Sequence, residues 1–193
     1  MTNLRTVPRL PSGVPVDALE VEALLQDLRE PIRLAATVRI RCAAAGDYAA
    51  LDVMSNSVTD GFGLPTFVPN LARSEGGVAT IVGVRVTCNE DAVLNQLRLY
   101  FFNQAPTPAE VEMDDNIAFD IKTEAGLDKF AGSILLGAMV DRGTAGSTSD
   151  NSNLVEPLAC APGQTGLWLV LTSETAEANE TANMQYRIDF YTM

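Results

Sequence analysis

The sequence predicts a mainly β protein: an antiparallel β-sandwich, jelly-roll-like, of about eight strands, with an N-terminal extended arm and one short helix. Three observations predict it. Apolar and polar residues alternate with period two in one segment after another from Arg33 onward. Stretches rich in glycine, proline, asparagine and aspartate separate those segments. No strand–helix–strand rhythm appears, so a parallel sheet is not expected.

The arm comes first. Residues 1–16 hold Pro8, Pro11 and Pro15, with Arg5 and Arg9 among them. Proline fixes φ and removes a backbone donor, so this stretch suits neither a helix nor a central strand. Val7, Leu10, Val14 and Val16 give it apolar teeth for docking on a surface. Asp17 is then a good N-cap, and Glu20 completes a capping-box-like pattern. Val21, Leu24, Leu25 and Leu28 follow at the spacing of one helix face, and Pro31 stops the helix. Its leucine face packs either on its own domain or on a partner. The expected division is an arm plus helix at 1–32 and a β-sandwich domain at 33–193.

The strands follow in order. Leu34, Ala36, Val38 and Ile40 alternate with residues that include Arg39 and Arg41. Residues 78–88 are expected to put Val78, Val82, Val84, Val86 and Cys88 on one face. Residues 96–102 set Leu97, Leu99 and Phe101 against Arg98 and Tyr100. The continuous apolar run 133–140 fits a buried strand or a short buried helix. Residues 166–172 set Leu167, Leu169 and Leu171 against Trp168 and Val170. Residues 184–191 set Met184, Tyr186, Ile188 and Phe190 against Gln185, Arg187 and Asp189. Shorter candidates lie at 51–56, 117–121 and 154–160. Turns are expected at Asp60-Gly61-Phe62-Gly63, Glu75-Gly76-Gly77 and 104–108, and residues 143–153 read as a small-polar loop.

Bulk composition narrows the function. The chain of 193 residues contains no histidine, so no Ser-His-Asp or Cys-His nucleophile can be assembled. The expectation is a protein that is not an enzyme. Cys42, Cys88 and Cys160 are distant in sequence, without a C-x-x-C pair, and read as buried small apolar side chains. Net charge is −12, unevenly spread. Residues 1–41 carry six arginines against five acids, and the remainder carries seven basic and twenty acidic residues. Such a body repels phosphate, so nucleic acid is not an expected partner. No apolar run approaches the roughly 18 residues of a membrane span, and the N-terminus does not read as a secretory signal. The expectation is a protein made and kept in a cytoplasm, with no membrane partner.

Candidate sites are few. Glu110, Glu112, Asp114, Asp115 and Asn116 form the densest carboxylate cluster. Calcium takes several oxygens, so this segment could hold one, but the EF-hand spacing is absent and a solvated acidic loop is the plainer reading. Trp168 with Tyr48, Tyr100, Tyr186 and Tyr191 could form a sugar-binding platform, although aromatics in strands more often serve core or interface. No phosphate loop or complete dinucleotide fingerprint is present. No cofactor or metal is expected. Partner contact is assigned to the arm and helix: Arg5, Val7, Arg9, Leu10, Val14, Leu24 and Leu28.

Several phrases point further. Asp47-Tyr48-Ala-Ala-Leu-Asp52-Val-Met-Ser55-Asn56-Ser57 is followed by Pro69-Asn70-Leu-Ala-Arg73-Ser-Glu-Gly76-Gly77 and a strand beginning Ile81-Val82. Then come Leu97-Arg-Leu-Tyr-Phe101-Phe102-Asn103-Gln-Ala-Pro106, Asp115-Asn116-Ile-Ala-Phe119, a Gly-Leu-Trp-Leu-Val-Leu strand and an amphipathic last strand. Taken together over residues 46–193, these phrases resemble tailed-bacteriophage virion structural proteins of the capsid decoration or cement type. The resemblance implies a β-sandwich on the exterior of a capsid, bound to the major capsid protein and often trimeric, so the expected partners are the major capsid protein and copies of itself. It implies no catalytic residue. The alternatives are a tail- or fibre-associated module recognising a host glycan, and a cellular β-sandwich interaction domain.

Overall fold

Alternating side chains give a strand one face to bury, and two such faces closed on each other make a sandwich. The computed structural model describes residues 33–43, 46–57, 59, 61–177 and 184–193. The expected arm and helix, with Arg5, Val7, Arg9, Leu10, Val14, Leu24 and Leu28, lie outside the described residues. Within them the chain forms β1 (Arg33–Arg41), β2 (Thr66–Val68), β3 (Val78–Cys88), β4 (Gln96–Phe102), α1 (Glu124–Lys129), β5 (Phe130–Ala138), β6 (Val140–Asp141), β7 (Ser147–Ala159), β8 (Leu167–Ser173) and β9 (Gln185–Thr192).

The strands make a five-stranded sheet in the order β1-β9-β3-β7-β6 and a four-stranded sheet in the order β2-β8-β4-β5. Set aside the two-residue β6 and the pairs are nested: β4 with β5, β3 with β7, β2 with β8, β1 with β9. Successive pairs alternate between the sheets. This is the wrapping of a jelly roll, and the expected fold class is the one the chain adopts.

The core lies between the sheets. Ala36, Val38 and Ile40 of β1, Leu97, Leu99 and Phe101 of β4, Leu167, Leu169 and Leu171 of β8, and Tyr186, Ile188 and Phe190 of β9 are all buried there. Phe101 meets Phe190 edge-on across the sandwich, with ring centroids 5.9 Å apart. Burying each such side chain contributes about 1.5–3 kcal/mol. A second apolar cluster covers the outward face of the four-stranded sheet. Val53, Val111 and Met113, from the long connections, pack there on Phe102 and Val170. That cover is why Val170, expected to point outward, is buried.

Some expectations need correction. In β3 the register against both neighbours shifts between Ile81 and Gly83. The buried face therefore runs Ala79, Ile81, then Val84, Val86, Cys88, while Val78 is exposed and Val82 half-buried. An irregularity of this kind changes which residues face the core. The small-polar loop begins to pair earlier than expected, because β7 starts at Ser147 and its backbone matches β3 through Ser152. Its two buried hydroxyls are satisfied there: Ser147 Oγ accepts from Val93 N–H at 3.1 Å, and Ser149 Oγ donates to the Gly137 carbonyl at 2.8 Å. The apolar run near 133–140 includes an edge strand with Leu135 exposed, since Ile134, Leu136 and Met139 face inward while the residues between them do not. Residues 51–56 and 117–121 contribute only isolated bridges, such as Asp52 with Ala118. The helix α1 was not anticipated; Thr123 caps it, its side chain accepting from Gly126 N–H at 3.1 Å.

The two flanks of the sandwich are finished differently. On one, β5 is stitched to β7 of the opposite sheet: Gly137 N–H donates to Asn151 Oδ1 at 2.8 Å, beside the Ser149 bond to the Gly137 carbonyl. On the other flank the edge strands are β1 and the three-residue β2.

Candidate functional site

Between β1 and the approach to β2 lies a groove of about 280 Å³. Its lining runs from Arg39, Ile40 and Arg41 of β1, past residues 53–56, to Leu64, Pro65 and Thr66, with Met113 and residues 169–171 beneath. The floor is apolar, since Ile40, Met54, Met113 and Leu169 are buried. The rim differs: Arg39 and Arg41 are exposed, and Leu64 is 63% exposed. Phe62, two residues before Leu64, is 67% exposed.

Within the acidic phrase at 110–116, Asp114 and Asp115 brace segments that line or adjoin this groove. Asp114 is buried, and its carboxylate accepts the N–H groups of Gly61 at 2.7 Å, Phe62 at 3.2 Å and Gly63 at 2.7 Å. Three successive N–H groups converging on one anion form a nest, here filled by the chain's own side chain. Gly63 is needed because a Cβ there would lie 1.9 Å from the Met113 carbonyl oxygen. Asp115, also buried, accepts from Tyr48 Oη at 2.7 Å, Ser55 N–H at 2.6 Å and Ala43 N–H at 3.1 Å. Burial, with Cys42 and the Asp115 carboxylate nearby, pushes the Tyr48 phenol far above its usual range, so it stays protonated and donates. These two aspartates hold the end of β1, the 55 region and the 61–63 turn in place together.

The plainer expectation of a solvated loop is therefore corrected. Glu110 and Glu112 are engaged as well: Lys129 Nζ lies 2.6 Å from Glu110, and Lys122 Nζ lies 2.8 Å from Glu112. The hydrogen bond from Lys129, with that from Thr107 N–H, holds the Glu110 carboxyl below the usual range. Among the described residues, no group of three or more histidine, cysteine, aspartate or glutamate side chains is arranged to hold a metal ion. The lone pairs a cation would need from Asp114 and Asp115 already face N–H and O–H donors.

The aromatic residues do not converge on one platform. Tyr48 and Tyr186 are buried in the core, and Tyr191 is on the sheet opposite Trp168. Tyr100 stacks on Phe119 with centroids 3.9 Å apart, and Trp168 packs against Phe67 at 5.0 Å. Cys42, Cys88 and Cys160 are all buried, as expected. No helix among the described residues is long and apolar enough to cross a membrane.

Five basic side chains among the described residues, Arg85, Arg98, Lys122, Lys129 and Arg187, are paired with carboxylates. Arg39 faces none among the described residues. Among the described residues the fold is a β-sandwich with an open edge beside an apolar, arginine-rimmed cleft. The sequence matches no protein-family model and no curated protein.

Proposed function

We propose that this protein is a non-enzymatic decoration, or cement, component of a tailed-bacteriophage capsid. It binds the outer surface of the major capsid shell as a homotrimer, bridges neighbouring capsid subunits and strengthens the shell. The observation that carries the reading is the agreement between two independent features of residues 46–193. Their ordered phrases resemble decoration proteins, which implies a β-sandwich, and the segment folds as a jelly-roll sandwich. The lack of histidine and the acidic body support a binding role away from nucleic acid. Repetition on a shell supplies avidity, so each contact can be weak.

The arm, with Arg5 and Arg9, is the second element of the proposal, because it differs in charge from the acidic body. Purified protein mixed with undecorated capsids is expected to sediment with them. Its absence from the pellet at saturating concentration overturns the proposal. Deletion of residues 1–32 is expected to weaken the association while circular dichroism retains its β signal.

A further inference from the structure

We infer that the groove between β1 and β2 is a strand-docking site that takes an extended, acidic segment of a partner protein. In the reading above that partner is the capsid protein, and the inference rests on that reading for the partner's identity alone.

The first ground is the open edge of β1. In a strand, the N–H and C=O of one residue point to the same side, and successive residues alternate sides. Cys42 N–H donates to Met184 carbonyl at 3.0 Å, on the β9 side. Ala43 N–H donates to Ser55 carbonyl at 2.9 Å, on the other side. Burial alternates without a break from Ala36 to Ala43, so the pleat is continuous. Thr37 and Arg39 therefore turn their main-chain groups to the side away from β9, where no strand among the described residues is paired. A strand edge of this kind accepts another strand by backbone hydrogen bonds.

The second ground is shape. The open edge stands above an apolar floor, with the exposed Leu64 on the facing wall. Alternate side chains of a docked strand would enter the groove, and the others would face outward. The third ground is charge, which selects the occupant. Arg39 has no carboxylate partner among the described residues, in a chain of net charge −12. It and Arg41 line the groove together. An incoming carboxylate gains a charge-assisted hydrogen bond there. The chain's own arm fits poorly, because Arg5 and Arg9 carry the same sign as the rim and Pro8, Pro11 and Pro15 lack the N–H that a ladder uses.

The full-length protein is titrated into a fluorescein-labelled heptapeptide of alternating glutamate and valine, read by anisotropy. Its lysine–valine counterpart, a form N-methylated at alternate residues, and a peptide of residues 3–16 of this chain are run alongside. The acidic peptide is expected to bind saturably, although an acidic body repels it elsewhere. The other three are expected to bind at least about tenfold more weakly, as is the acidic peptide to Arg39→Glu. Arg39→Glu is also expected to favour the lysine peptide. Circular dichroism checks that this exposed substitution leaves the fold intact. No binding of the acidic peptide, equal binding by wild type and Arg39→Glu, or tighter binding of the 3–16 peptide overturns the inference. Sedimentation with capsids separates the two proposals. Wild type and Arg39→Glu pelleting alike overturns strand docking and leaves the capsid reading standing. Peptide binding without any pelleting overturns the capsid reading and leaves the groove.

Discussion

Removing the Asp114 carboxylate is expected to loosen the groove wall at a cost that can be worked out bond by bond. In Asp114→Ala the N–H groups of Gly61, Phe62 and Gly63 all lose their acceptor. The Gly63 bond is buried, and those of Gly61 and Phe62 are part-buried. A buried N–H left without a partner costs about 1–3 kcal/mol, and hydrogen bonds to a charged group are each worth about 1.5–3 kcal/mol net. Water can reach the two outer N–H groups, so their loss is partly recovered. The expected total is about 3 kcal/mol, a large share of the 5–15 kcal/mol typical of a domain. Asp114→Asn keeps one acceptor oxygen but turns an NH₂ toward N–H donors, and is expected to cost about 2 kcal/mol. Urea unfolding followed by Trp168 fluorescence measures both. Asp128→Ala, on α1, is the control, because Asp128 is exposed on the surface. A loss below about 1 kcal/mol in Asp114→Ala, or one matched by Asp128→Ala, refutes the nest as a structural staple.

Two further outcomes are expected. Tyr48→Phe removes one donor from Asp115, whose Oδ1 retains Ser55 N–H at 2.6 Å, and should cost about 1.5–3 kcal/mol in the same assay with unchanged circular dichroism. Stability should be flat near neutrality and fall at both ends of a pH titration followed by thermal unfolding. On the acid side, the lowered Glu110 pKa contributes stability that is complete above the unfolded value of about 4.3 and lost as pH falls toward the folded one. Glu110→Gln should blunt that limb. On the alkaline side, burial raises Cys160, Tyr48 and Tyr100, so stability is complete below their unfolded values of about 8.5 to 10 and falls as pH rises above them. With no histidine in the chain, a step between about pH 6 and 7 would contradict this account.

How much of this was legible in the sequence depended on whether a residue's role was local. The segments of β4, β8 and β9 declare themselves through alternation, because burial of one sheet face acts on every second residue. The first half of β7 does not, since Ser147, Ser149 and Asn151 are accepted into the sheet by partners on β5 and in the 93 region. The phase of β3 is not legible because a register shift leaves no mark in a run of valines. β2 is too short to show a period, and α1 too short to show a face. The groove was hidden more deeply, as its lining comes from separate strands and connections that buried carboxylates hold together. The donors that hold Asp114 and Asp115 lie between 51 and 72 residues away in the chain. The only local hint was Gly61-Phe62-Gly63, where two glycines leave room for backbone N–H groups to close on an anion.

The nested pairing of the jelly roll also sets a timetable. Its innermost pair, β4 with β5, brackets a short stretch of chain, whereas β1 and β9 stand at opposite ends of the described sequence. Closing a long loop costs more entropy than closing a short one, and each inner pair that forms shortens the loop for the next. Assembly is thus expected to wind outward from β4 and β5. During synthesis β1 emerges before every other described strand, yet its sheet neighbour among them, β9, emerges after all of them. Among the described strands, the one that carries the groove's arginine rim is the first to be made and the last to be joined, so the groove comes into being only when the fold is finished.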